Sequence, residues 1–145
     1  MTNVWINGQL RRILVGYDGS VECERALEMA IALGNSSEGR LLVLAVARPP
    51  EPEPSSGANV LDAAREQLER TLTRLRRRVG HERIEIETQV TQGHPAEEIL
   101  RKAREDRVDL IVVGHRGMSS RERQTLGSIA QHVLSHAPCP VMVTK

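Results

Sequence analysis

Apolar residues gather into five short runs along the chain: Ile13 to Gly16, Leu41 to Ala47, Ile84 to Val90, Leu110 to Val113 and Val141 to Val143. Between them lie four stretches in which apolar positions recur at helical spacing. Aliphatic runs alternating with helical periodicity predict βαβ units, a mostly parallel sheet, and right-handed crossovers that put helices on both faces. The runs differ in kind. Ile13-Leu14-Val15 and Leu110-Ile111-Val112-Val113 are apolar at every position, as strands buried on both faces are, whereas Ile84-Glu85-Ile86-Glu87 alternates like an edge strand with one wetter face. With the first and fourth strands central and the third at an edge, the prediction is a single-domain α/β fold. It is a doubly wound open sheet of five parallel strands in the order 3-2-1-4-5. Its switch point falls between strands one and four, and ligands of open α/β sheets bind outside the carboxyl ends of the strands there.

The first helix is predicted from about Ser20 to Leu33, with Ala26, Ala30 and Leu33 on one stripe and Gly34-Asn35 as a stop. The second carries Leu61, Ala64, Leu68, Leu72, Leu75 and Val79 and ends at Gly80; Arg65 with Glu69 and Glu66 with Arg70 pair across one turn. Ahead of it, the proline-rich segment Arg48 to Gly57 suits neither helix nor central strand. Lying next to a strand's carboxyl end, it is either a flap over a ligand or a tolerated insertion. The third helix enters at His94-Pro95 and runs to about Glu105, and the last begins near Ser128.

Composition narrows the chemistry. A chain of 145 residues suits one domain, and with no Phe, one Trp and one Tyr its core is aliphatic and lacks stacking platforms for single-stranded nucleic acid. The net charge is +1, and the cluster Arg74, Arg76, Arg77, Arg78 falls on a solvated helix face without any groove-reading motif, so no nucleic-acid partner is expected. Lysine occurs only at Lys102 and Lys145, which argues against lysine-centred catalysis. Cys23 and Cys139 form no framework and read as core thiols of a reducing compartment. No window is apolar enough to cross a membrane, so the expected location is cytoplasmic, without membrane contact. The GxxxxGK[ST], GxGxxG, GxSxG and HExxH signatures are absent. His132 and His136 stand four apart on the last helix, but the sequence suggests no third ligand, and they read as surface or packing residues.

One segment resists a purely structural account. In Val113 to Ser128, VGHRGMSSRERQTLGS, Gly114 closes a buried strand, Gly117 follows after two residues, Gly127 after nine more, and Ser128 opens an amphipathic helix. Gly114 and Gly117 permit close backbone approach and positive φ, while Gly127-Ser128 offer backbone amides at a helix start. This describes a phosphate cradle. The same residues also fit turn glycines, with Ser128 and Gln131 as a capping box.

The spacing Gly114-x2-Gly117-x9-Gly127-Ser128 resembles the G-x2-G-x9-G-[ST] nucleotide motif of the universal stress protein family. Supporting this are Ile13 to Ser20 as the first strand with its acidic turn, Gly93-His94-Pro95-Ala96 as the third-helix entry, and His136 to Val141 as the ending. The resemblance covers residues 11–145, leaving 1–10 as an extension. It implies the 3-2-1-4-5 sheet of adenine nucleotide alpha hydrolase-like proteins and the branch of the family that binds ATP, with Mg²⁺ carried by the nucleotide. It also implies contacts to ATP from Tyr17, Asp18, Val46, Gly114, Arg116, Gly117, Gly127, Ser128, Ile129 and Ala130, with Ser20, Arg121 and Arg123 as further phosphate contacts. Arg121 and Arg123 serve equally well as solvated loop residues. His94 departs from the family, where an acidic residue is common. A homodimer through strand 140–144 is implied as well. With Asp18 as the one acid near the switch point, at most slow hydrolysis is expected. The alternatives are an adenylate-forming or phosphotransfer enzyme of this architecture, or a structural dimer module without a physiological nucleotide.

Overall fold

The computed structural model describes residues 10–49, 57–116 and 125–145. Within them the chain alternates β1 (Arg12–Gly16), α1 (Val21–Ser37), β2 (Arg40–Ala47), α2 (Gly57–Val79), β3 (Glu85–Gln92), α3 (Pro95–Glu105), β4 (Leu110–Gly114), α4 (Ser128–His136) and β5 (Val141–Thr144). All pairings are parallel and the strand order is β3-β2-β1-β4-β5, as the hydrophobic pattern predicts.

Alternation along the strands sorts the core into two layers. Ile13, Val15, Leu41 and Val43 face Ala26, Leu27 and Ala30 of α1 and Leu72, Leu75 and Val79 of α2. Leu14, Leu44, Ile111 and Val113 face Ile99, Leu100 and Ala103 of α3 and Ala130 and Val133 of α4. The central strands β1 and β4 are covered on both sides, whereas β3 at one edge keeps Glu85 in water. β5 forms the other edge and is half-buried throughout.

Two predicted boundaries move for physical reasons. α1 runs through Gly34-Asn35 to Ser37. Gly34 sits against the tip of the Ile84 side chain, which a Cβ at this position would force to shift. Asn35 is used laterally: its Oδ1 accepts the Ile84 N–H at 2.9 Å and its Nδ2 donates to Glu82 at 3.0 Å. The pair therefore docks the entrance to β3, and the helix stops at Glu38, whose φ of 55° is left-handed. β3 also extends to Gln92, past the predicted Val90, because Thr91 and Gln92 pair with Val46 and Ala47. Gly57, expected in the loop, is the first residue of α2; the rest of the predicted flap beyond Pro49 lies outside the described residues.

Candidate functional site

The carboxyl ends of β1, β2 and β4 open onto a cavity of about 280 Å³ walled by the first turns of α3 and α4. Of the residues expected at the site, Tyr17, Asp18, Val46, Gly114, Arg116, Gly127, Ser128, Ile129 and Ala130 line this cavity together. Gly117, Arg121 and Arg123 lie outside the described residues.

The turn after β1 is held by its own side chains. Asp18 Oδ1 accepts the Ser20 N–H at 2.9 Å, and Gly19 takes a φ of 84° to let the chain reverse. Ser20 is the N-cap of α1, its hydroxyl oxygen accepting the Cys23 N–H at 3.2 Å, and it is not among the residues that line the cavity. Tyr17 is fixed from the other side of the sheet: its hydroxyl donates to Glu24, and Arg78 Nη2 holds the same carboxylate at 2.9 Å. Arg78 therefore bridges α2 to α1 while its side chain stays more than half exposed. Burial first, and then the hydrogen bond to Glu24, push the Tyr17 phenol up to about 12. Cys23 also lines the cavity; burial, followed by the Asp18 carboxylate, raises its thiol to about 12, which leaves it protonated and unreactive near neutral pH.

The start of α4 differs from those of α1 and α3 in carrying no acid. α1 has a serine cap and Glu22 and Glu24 in its first turn, and α3 has Glu97 and Glu98 in its first turn. α4 has Gly127 as N-cap, no side-chain cap and no acid in its first turn. The expected Ser128–Gln131 capping box does not form, because the helix begins one residue earlier and its first bond runs from the Gln131 N–H to the Gly127 carbonyl at 2.9 Å. The N–H groups of Ser128, Ile129 and Ala130 precede that bond, as the first amides of any helix do, and they leave positive potential at the cavity edge. An anion fits there. Glycine is required at position 127, since a Cβ would stand 2.9 Å from the His115 carbonyl oxygen, with which the Gly127 N–H bonds at 2.9 Å.

Gly114 does not use the positive φ expected of it. Its role is close packing: a Cβ there would lie 2.8 Å from Cβ and 3.0 Å from the carbonyl carbon of Glu22 in the first turn of α1. Beyond it, the buried Arg116 reaches back, its Nη2 donating to Thr125 Oγ1 at 3.3 Å. Gly16, Leu44, Pro95, Ile99, Val113 and His115 also line the cavity without having been assigned to the site, as does Arg48, the first residue of the predicted flap segment. The strand-end position of Arg48 and the place of His115 inside the glycine segment were visible signals. Pro95 and Ile99 reach the cavity only through tertiary packing. Among the described residues that line the cavity, the charged ones are Arg48, Arg116 and Asp18.

The sequence model of the Universal stress protein family matches residues 9–145. A universal stress protein of Thermus aquaticus is 34% identical over 141 residues, covering 93% of this chain and 98% of that protein. The universal stress protein YxiE of Bacillus subtilis is 30% identical over 145 residues, covering 92% and 98%. Among solved structures, the universal stress protein UspA from Lactobacillus plantarum superposes with a TM-score of 0.87 at 26% identity, covering 94% of this chain and 99% of that one. Two others share the fold. One is a universal stress protein in complex with cAMP, with TM-score 0.62, 22% identity and coverage of 94% and 97%. The second, from Archaeoglobus fulgidus in complex with dAMP, has TM-score 0.65, 23% identity and coverage of 93% and 98%.

Proposed function

Because the chain belongs to the universal stress protein family, we propose that it is a regulatory module that binds ATP at the sheet's switch point and changes conformation or partner with the nucleotide bound. The observation that carries this is the start of α4, an acid-free and side-chain-uncapped helix N-terminus opening onto the cavity, at the end of the G-x2-G-x9-G-S spacing. Adenosine lies against Val46 and Asp18, and the phosphates meet Gly127, Ser128, Ile129 and Ala130, with Arg116 close by; Gly117, Arg121 and Arg123 are further candidates outside the described residues. Mg²⁺ travels with the phosphates. Relatives of this fold in complex with cAMP and dAMP are consistent with an adenine nucleotide, though their resemblance to this chain extends to the fold alone.

Asp18 is the only carboxylate among the described residues lining the cavity, and its Oδ1 already accepts the Ser20 N–H. Rapid hydrolysis needs an oriented water and a firmly placed metal, so turnover is slow. β5 offers an edge for pairing two copies into a homodimer through 140–144. The site of action is the cytoplasm; among the described residues no helix is long and apolar enough to cross a membrane.

Melting the chain with and without Mg-ATP tests the assignment. A hundredfold excess over Kd stabilises by about 2.7 kcal/mol, a rise of roughly 9 °C for a domain of this size. No rise with any adenine nucleotide points to a structural dimer module, and turnover far above background with a second substrate points to an adenylate-forming or phosphotransfer enzyme. Mass spectrometry of small molecules released from the purified protein identifies which nucleotide it carries.

A further inference from the structure

The turn that carries Asp18 to the cavity is held by bonds made away from the cavity itself. At its start the Tyr17 N–H donates to the Leu44 carbonyl at 2.9 Å, and the hydroxyl of the buried Tyr17 side chain donates to Glu24 in the first turn of α1. That hydroxyl bond ties the end of β1 to the start of α1 across the turn, with Asp18 between them. Glu24 is held in its turn: Arg78 Nη2, from the last turn of α2, donates to its Oε1 at 3.1 Å and its Oε2 at 2.9 Å, so Oε1 accepts from both the phenol and the guanidinium. No described residue of α2 lines the cavity. We propose that Arg78 is a positioning residue for the nucleotide: through Glu24 and Tyr17 it fixes the β1–α1 turn that presents Asp18. The proposal rests on the reading of the cavity as an ATP site.

The rest of the α1 start shows what Arg78 adds. On the side of β4 and β5, Thr144 Oγ1 donates to the Glu22 carbonyl at 3.1 Å, and Gly114 packs so closely that a Cβ there would stand 2.8 Å from the Glu22 Cβ. The first turn of α1 is thus located between two neighbours, and on the α2 side the contact is the Arg78–Glu24 pair. The Glu24 side chain is 31% exposed, which shields this charge-assisted bond in part from solvent. Burial first, and then Glu24, keep the Tyr17 phenol protonated and able to donate. Arg76 and Arg77 also lie in the last turn of α2, where a cation complements the helix dipole, but it is Arg78 that reaches Glu24. Without the guanidinium, Glu24 is free to turn to solvent and the Tyr17 hydroxyl loses a fixed acceptor. The turn then gains conformations that nucleotide binding has to freeze out, and the cost falls on affinity.

The test uses the full chain, stripped of nucleotide and titrated calorimetrically with Mg-ATP. Arg78→Met keeps an apolar stem and removes the guanidinium. It should weaken ATP binding by about 2- to 30-fold, the span that residues without ligand contact impose through packed networks. Arg76→Met removes a charge from the same helix turn and should leave affinity unchanged. Tyr17→Phe should weaken binding by a similar factor to Arg78→Met, and the double variant should lose little more than either alone, because both changes break one chain of bonds. Tyr17 is the one tyrosine of the chain, so the ring resonances of isotope-labelled tyrosine report the brace without any ligand. Arg78→Met should shift them and Arg76→Met should not. The proposal is overturned by parental ATP affinity in an Arg78→Met chain that melts cooperatively, by an equal loss in Arg76→Met, or by losses that multiply in the double variant. Resonances that shift in Arg78→Met, in a chain whose parent binds no adenine nucleotide, would instead overturn the ATP reading, and the positioning role with it.

Discussion

Ser128→Asp separates the anion site from the fold, because its two effects have opposite signs. Ser128 is exposed, sits at the first helical position of α4 and lines the cavity. A carboxylate in the first turn interacts favourably with the helix dipole by about 0.3–1 kcal/mol. For a chain of 145 residues, this raises the melting temperature by about 1–3 °C. The same carboxylate would stand about 5 Å from a bound phosphate, costing about 1–3 kcal/mol per unit of phosphate charge for an effective dielectric of about 20 to 60. The hydroxyl's hydrogen bond is lost as well. ATP affinity should therefore fall about 10- to 100-fold or more while stability holds or rises. Equilibrium dialysis with labelled Mg-ATP, paired with a melting curve, reads both numbers. A folded variant whose Kd stays within about threefold of the parent's, well under the tenfold that 1.4 kcal/mol would produce, would refute the placement of the phosphates at α4.

Gly34→Ala, ordinarily a stabilising change inside a helix, should here cost about 1–3 kcal/mol in a urea melt because the new Cβ meets Ile84; a gain in stability would contradict the close packing of α1 on the β3 entrance. Alkaline pH should weaken the fold. Cys23 and Tyr17 have pKa values raised from 9.0 and 10.0 to about 12, so the native state holds protons that the unfolded chain releases, and stability falls as pH rises from 9 toward 12. Urea melts across that window should show the decline, and Cys23→Ala should flatten its lower part; a flat profile for the parent chain would contradict the burial of both groups. Met142→Asp, on the β5 edge, should leave the chain monomeric in light scattering if two copies pair there; an unchanged dimer would place the interface elsewhere.

The topology was legible because burial on both faces makes β1 and β4 uniformly apolar, while the β3 edge alternates; burial order along a sheet is written directly into strand composition. Helix ends were less legible. Gly34-Asn35 looks like a stop, and only the approach of Ile84 shows that its small size and amide serve a neighbouring strand. Ser20 and Ser128 pose the same difficulty in reverse. Each is a serine at a helix start, yet Ser20 turns its oxygen onto Cys23, while Ser128 begins one position past the cap. A one-residue difference in helix onset decides this, and residue type alone does not encode it. Gly114 and Gly127 line the cavity, whereas Pro95 and Ile99 enter it from α3, whose docking is set by side-chain packing on the face of the sheet that it shares with α4.

The proposed function puts ATP in the cavity at the carboxyl ends of β1, β2 and β4, against the start of α4. Calorimetric titration of the nucleotide-stripped chain with Mg-ATP tests this most directly. A saturable isotherm with one site per chain, lost in Ser128→Asp and retained in Ser128→Ala with a penalty of about 1 kcal/mol, is the predicted result. Heat no larger than dilution up to millimolar ATP, from a chain that still melts cooperatively, would contradict it.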